Sequence, residues 1–291
     1  MNAYANQLRE AMQSVYGAFD WALILDGQLH RGTAPGDRPG SNNLWYVVYT
    51  DGIPSGAFGS WKIGDYHTWS SRSPTDRREA EHLRQQMGEA RRQREAELRQ
   101  RQQATAEYAR RLWRDARRAD PNHPYLTAKA VRPHALRQQG DALLIPLTHN
   151  GDLVNVQRIQ ADGSKRFLSG GRVKGCCSPL GMIQPGEPLY LCEGWATGAT
   201  LHESTGHPVA CAMNAGNLLA VGQQLSRTHP DALLIIAGDD DRKTEGNPGK
   251  TAAIKAAETL CCGLILPPWE GDEPLNMSDF NDLHQWREGQ R

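Results

Sequence analysis

"LLIIAGDDDRK", Leu233 to Lys243, runs five residues suited to a buried strand into three adjacent aspartates. Like charges this close repel, and burial sharpens the repulsion. Two readings are open. Asp239 to Asp241 cap the helix that follows, or they gather around something positive. On both sides the chain alternates short apolar runs with amphipathic helices: strand "LYLCEG", helix "ATGATLHEST", strand "PVACAM", helix "NLLAVGQQL", strand "ALLIIAGDDD", helix "GKTAAIKAAETL", strand "GLILP". This predicts an α/β domain over 186–291, a parallel sheet flanked by helices.

Ligands of such sheets sit at the carboxyl ends of the strands. Glu193 ends the first strand, and Asp239 and Asp241 follow the third, so both sets fall on one edge. "SDFNDL" adds Asp279 and Asp282 after the last strand. Singly, each has a plain reading as a turn or helix-start residue. Together they predict a site for a hard divalent cation, Mg²⁺ or Mn²⁺, which favours oxygen ligands. The cation would supply the missing positive charge and keep the aspartates ionised. A competing motif, "GNPGKT" at Gly246 to Thr251, lacks the P-loop's first glycine, because Thr244 stands there. It reads instead as a helix start, with Lys250 near the N-terminus.

Upstream, "HPYLTAKAV" precedes "GDALLIPLTHNGDLVNVQRIQADGSKRFLSGGRVKG". Alternation broken at Asn150-Gly151 and Asp162-Gly163 predicts a small three-stranded β-meander within 119–185. Arg158, Lys165, Arg166, Arg172 and Lys174 lie on or beside it, as candidate contacts to nucleic-acid or nucleotide phosphates. Residues 76–118 hold thirteen Arg against eight acids and only one Gly. They predict a long basic helical arm of about 65 Å at 1.5 Å per residue. It is either a spacer or a surface that follows a phosphate backbone. Residues 1–75 predict an N-terminal aromatic α+β module. A helix over Tyr4 to Tyr16 precedes β-rich segments, with turns at Asp26-Gly27 and Asp51-Gly52. Its Trp45, Tyr46, Trp61, Tyr66 and Trp69 either fill a small core or stack on bases.

The formal net charge of zero hides this segregation: a basic middle, and twelve acids against six bases from Asp231 to Arg291. Such asymmetry fits either a polyanionic partner or simply a solvated helix face with an acidic tail. No apolar run is long enough to span a membrane. No export signal is expected, so the six cysteines are expected to be reduced thiols in the cytoplasm. They form no Cys-x-x-Cys pair, so no zinc is expected.

"LYLCEGWATGATL", "NAGNL", "IIAGDDDRKTEGNPGKTAA" and "SDFNDL", in that order, resemble the Toprim domain of plasmid and phage DNA primases. The block from "HPYLTAKAV" to "GGRVKG" is similar to the segment that precedes Toprim in those primases. The resemblance covers roughly 120–285. It implies that Glu193 is the Toprim glutamate and that Asp239 and Asp241 are its Asp-x-Asp pair, with Asp240 the variable middle residue. Asp279, Asn281 and Asp282 match the acidic motif of the primase subgroup. Asn217, in "NAGNL", and Lys250 join the basic residues as expected nucleotide contacts. The chain departs from the cellular primases in "EGWAT", and carries no zinc-finger module or helicase ATPase. The implied activity is a DNA primase, making short RNA primers by metal-dependent nucleotidyl transfer. Its partners would be single-stranded DNA, NTPs and a replicative helicase. A Toprim nuclease and a non-catalytic single-strand-binding protein are the alternatives.

Overall fold

The computed structural model describes residues 3–290, which divide at Gln100/Arg101 into two compact units. The first contains helix α1 (Ala3–Tyr16) and strands β1 (His30–Gly32), β2 (Leu44–Tyr49), β3 (Ser55–Ser60) and β4 (His67–Ser70). The strands pair antiparallel in chain order. Alternation sends successive side chains of β2 to opposite faces. Tyr46 and Val48 join Phe58 and the α1 residues Leu8 and Met12. Trp45 and Val47 pack with Ala57 against Ala90 of helix α2 (Arg77–Asp115).

Both faces of this sheet are therefore covered, which settles part of the aromatic question. Trp45 and Tyr46 are at most 1 % exposed and belong to the core. The Arg94 guanidinium lies over Trp45, Trp61 and Tyr66, with ring centroids 5.3–5.9 Å away, a cation–π arrangement. Asp51-Gly52 joins β2 to β3 as expected. Asp26-Gly27 does not join two strands, because no strand precedes it among the described residues. There the Ile24 N–H donates to the Tyr46 hydroxyl, 2.9 Å away, rather than to a neighbouring strand. Trp21, Leu23 and Leu25 still pack on the α1 side of the core.

The second unit opens with the rest of α2. Its Ala109 and Leu112 bury themselves against Leu144 and Val156. This half of the helix is thus a packed wall of the unit rather than an arm surrounded by water. The strands it meets are β5 (Arg117–Arg118), β6 (Arg137–Gln139), β7 (Ala142–His149), β8 (Asp152–Ile159) and β9 (Lys165–Phe167). They form an antiparallel sheet in chain order, with α3 (Pro124–Lys129) between β5 and β6. Asn150-Gly151 and Asp162-Gly163 make the turns that join β7, β8 and β9.

A second sheet follows. Its strands are β10 (Ser178–Leu180), β11 (Pro188–Cys192), β12 (Val209–Cys211), β13 (Leu233–Ala237) and β14 (Gly263–Ile265), in the order β10-β12-β11-β13-β14. The last four are parallel, and β10 pairs antiparallel at the edge. Helices α4 (Trp195–Thr205), α5 (Leu218–Thr228), α6 (Pro248–Leu260) and α7 (Phe280–Gly289) fill the connections and the end. On one face Leu189, Leu191, Ala210 and Ile236 meet α5 and α6. On the other, Cys192, Val209 and Cys211 share one core with Trp195 and Ala199 of α4 and with Leu143, Ile145 and Ile159 of the meander. The meander and the α/β domain are therefore welded by a common core, each buried Leu or Ile contributing about 1.5–3 kcal/mol. Gly198 allows α4 to approach that closely, since a Cβ there would lie 2.3 Å from the Cys211 sulfur. No helix among the described residues is long and apolar enough to cross a membrane.

Candidate active site

Register places the first two acids side by side. Cys192 of β11 pairs with Ala237 of β13, so Glu193 and Gly238 leave the sheet level with each other. Asp239 follows one residue later. The third element is brought in by a backbone bond. The Asp240 N–H donates to the Ser278 carbonyl at 2.7 Å, which draws Asp279 to the same strand ends. Gly194, behind Glu193, has φ −93°. This is ordinary extended backbone, so the turn there does not depend on glycine's freedom.

The acids perturb one another. Burial first, then the charges of Asp279, Glu193, Asp241 and Asp282, push Asp239 up to about 8. Burial and Asp241 raise Glu193, against a stabilising hydrogen bond from the Ala215 N–H. Burial and Asp282 raise Asp279. Each shift has the same cause: negative charge held where water is scarce and more negative charge is near. Asp241 is compensated differently. Its Oδ2 accepts from the Gly249 N–H at 2.8 Å, at the first turn of α6, where the helix end favours an anion. Asp282 is occupied as well. It accepts from the Ser278 N–H at 3.1 Å and lies 3.4 Å from Lys129 Nζ.

Among the described residues, no three His, Cys, Asp or Glu side chains are gathered into a ready-made metal-binding group. The donor chemistry nevertheless fits a hard divalent cation. Asp239 Oδ1 is buried with no hydrogen-bond partner, and an orphaned carboxylate oxygen is costly unless something positive meets it. Asp239, Asp241, Glu193 and Asp279 are the residues that could hold such an ion.

The basic residues divide between two faces of the meander. The row Leu143–Ile159–Lys165 faces the shared core. Lys165 is exposed, yet it lies within the field of the acids. Desolvation of its amine and the charge of Lys129 lower its pKa, while Asp279, Glu193 and Asp239 raise it. Its Nζ also sits 5.6 Å from the Tyr125 ring centre. The next row, Leu144–Arg158–Arg166, lies on the α2 face. One residue of offset thus sends Arg158 and Arg166 away from the acids. If the site turns over a nucleotide, Lys165→Ala is expected to lower kcat/KM for it by about tenfold or more, the loss of one charge-assisted bond of about 1.5 kcal/mol. Arg166→Ala should leave it nearly unchanged. Steady-state kinetics of the two variants check this, and equal effects would overturn the division by face.

Arg172 Nε donates to the Lys174 carbonyl at 3.1 Å, so this pair sits on a loop folded onto itself. Asn217 anchors that loop. It is 3 % exposed, donates to the carbonyls of Val173, Cys176 and Ala212, and accepts from the Gly175 N–H. Its polar atoms are consumed by backbone, so it shapes the loop rather than presenting itself to a ligand. Lys250 lies 3.6 Å from Asp240 Oδ1, paired inside the acid loop. Asn281 is fully buried and ties α7 to Lys129 and Thr200. Sequence reasoning missed Lys129, which reaches the site from α3. It also missed Asn247, which bonds to the acid loop across a turn. No local pattern marks Lys129; Asn247 before Pro248 reads locally as the cap of α6, but nothing local marks its bonds to Asp240 and Asp241.

Residues 188–290 match the Toprim domain family. Two Escherichia coli proteins, each described as DNA primase TraC, are similar over most of this chain. One is 35% identical over 270 residues, covering 87% of this chain and 19% of its own length. The other is 34% identical over 259 residues, covering 84% and 24%. The chain thus spans about a fifth to a quarter of the length of these relatives. A solved structure, the zinc-binding and RNA polymerase domains of the Aquifex aeolicus primase, overlays at a TM-score of 0.39 and 12% identity. It covers 99% of this chain and 85% of that one. The domain match and the two sequence relatives bear out the resemblance read from the four ordered motifs: residues 188–290 match the Toprim domain family, and the chain is similar to proteins described as DNA primases.

Proposed function

We propose that this chain carries the catalytic site of a DNA primase that lays short RNA primers on single-stranded DNA, in the replication of a plasmid, phage or integrative element. One observation carries the reading. Glu193, Asp239, Asp241 and Asp279 lie within one another's electrostatic field near the carboxyl ends of parallel strands, with Asp239 Oδ1 buried and lacking a donor. Bound Mg²⁺ or Mn²⁺ would neutralise phosphate charge and orient the attacking and leaving oxygens. The protein's own groups divide the remaining work. Lys165, with Lys129 close by, offers positive charge to the phosphates of an NTP. Glu193, its pKa raised, is suited to take the proton of the attacking 3′-hydroxyl. That oxygen bonds to the α-phosphorus as the bond to pyrophosphate breaks.

Single-stranded template and NTPs are the proposed substrates, a replicative helicase the proposed partner, and the cytoplasm the proposed compartment. Incubating the chain with circular single-stranded DNA, labelled NTPs and Mg²⁺ or Mn²⁺ tests the reading. Short labelled oligomers are the expected product. A shortened template without oligomers would replace the primase by a nuclease. Binding with neither product would leave a non-catalytic accessory.

A further inference from the structure

Asp240, between the two proposed ligands, is the most buried of the three aspartates, at 7 % exposure. Both its carboxylate oxygens are taken. Oδ1 accepts from Asn247 Nδ2 at 2.6 Å, with Lys250 Nζ 3.6 Å away. Oδ2 accepts from Trp269 Nε1 at 3.0 Å. Its backbone N–H holds Ser278. Asn247 continues the chain of bonds. Its Oδ1 accepts from the Asp241 N–H at 2.8 Å and from the Lys250 N–H at 3.3 Å. It does so at φ +43°, in the left-handed region that Asn tolerates better than most residues. Gly249 then meets the Asp241 carboxylate. A Cβ at Gly249 would lie 2.8 Å from Asp241 Oδ2 and 3.1 Å from Asp239 Cβ. The "GNPGKT" stretch, which lacks the P-loop's first glycine, therefore has another task. It grips the acid loop from behind.

Such a grip has a physical reason. Glu193, Asp239, Asp241 and Asp279 repel one another, and Asp239 Oδ1 has no donor to restrain it. Left to itself, a loop bearing these charges relaxes outward into water. We propose that Asp240 and Asn247 are positioning residues, which hold Asp239 and Asp241 at the strand ends in the geometry a divalent cation needs. The inference rests on the reading of those acids as a cation site. Asp240 acts through its neighbours rather than as a ligand, since both its oxygens are engaged.

Mn²⁺ binding to the 291-residue chain, followed by the electron paramagnetic resonance of free Mn²⁺, separates the possibilities. Asn247→Ala removes the bonds to Asp240 and Asp241 without changing net charge, so any lost affinity is geometric. The expected result is binding weaker by about tenfold or more, the usual cost of removing a group that orients metal ligands. The metal-free melting midpoint should fall, because Asn247 caps α6 at a left-handed φ, so Mn²⁺ affinity is compared well below it, where both chains are folded. The Mn²⁺ concentration giving half-maximal synthesis should rise in step, with the rate at saturating Mn²⁺ largely recovered. Asn247→Ser is the second variant. It keeps a side-chain oxygen to cap α6 but is too short to reach Asp240, and it should show the same weakening even if Asn247→Ala folds poorly. Asp239→Ala separates failure of the cation site from failure of the positioning role. If the starting chain binds no Mn²⁺, or binds it equally well without Asp239, the cation site itself is misread. If Asp239→Ala abolishes binding while both Asn247 variants bind normally, the positioning role alone fails.

Discussion

Asp239→Asn is expected to abolish primer synthesis, by about a thousandfold or more, and at the same time to stabilise the metal-free chain. The first effect follows from losing a carboxylate that would hold the cation, whose charge stabilisation is worth several kcal/mol and so about three decades of rate at ~4 kcal/mol. The second follows from the pKa. Asp239 stands at about 8 in the folded chain, against about 3.9 for an unfolded aspartate. The folded state therefore binds this proton more tightly. Its contribution to stability is full below about pH 4 and is lost as the pH rises toward 8. Metal-free wild-type chain should accordingly melt lower at about pH 8 than at about pH 5, by a few kcal/mol shared among Asp239, Glu193 and Asp279. The Asn variant, with one charge fewer, should show a shallower dependence and a higher midpoint at about pH 8. Melting curves in chelator at the two pH values, beside a primer-synthesis assay, check both halves. A variant with ordinary synthesis, or one destabilised at the higher pH, would remove Asp239 from the site.

Glu193→Gln should cost at least about a hundredfold in rate, the low end for a removed general base, with single-strand affinity nearly unchanged. Gln keeps the shape and still accepts from the Ala215 N–H, which fixes the Glu193 carboxylate in place. It cannot take a proton or carry charge. Two roles meet at this residue, and metal dependence separates them. Recovery at high Mn²⁺ assigns Glu193 to holding the cation. Failure of any metal to restore the rate assigns it to the proton of the attacking hydroxyl. Ordinary activity in Mg²⁺ would reduce Glu193 to a turn residue.

Much of this was legible in the sequence because its causes are local. Alternating apolar runs and amphipathic helices determine a parallel sheet with helices on both faces, since each element must bury its apolar side. That pattern alone puts Glu193, Asp239 and Asp241 at strand ends, where such sheets take ligands. Asn150-Gly151 and Asp162-Gly163 determine their hairpins through the backbone conformations that Asn, Asp and Gly accept. Strand β10 was not legible, because three residues of "SPL" carry too little period to read. Asp26-Gly27 looked like a hairpin turn until tertiary packing assigned the Ile24 N–H to a tyrosine hydroxyl. The division of the basic residues was also beyond the sequence. Lys165 and Arg166 are neighbours in the chain, but a strand sends neighbours to opposite faces, and only the packing of the two faces decides which one meets the acids. The same holds for Asp240. As the middle of an Asp-x-Asp pair it looks dispensable, yet its partners come from positions 247, 250, 269 and 278, brought together only when α6 and the loop before α7 close on the end of β13. A one-dimensional pattern specifies which residues repeat along an element. Which of them meet across elements is a property of the packed core.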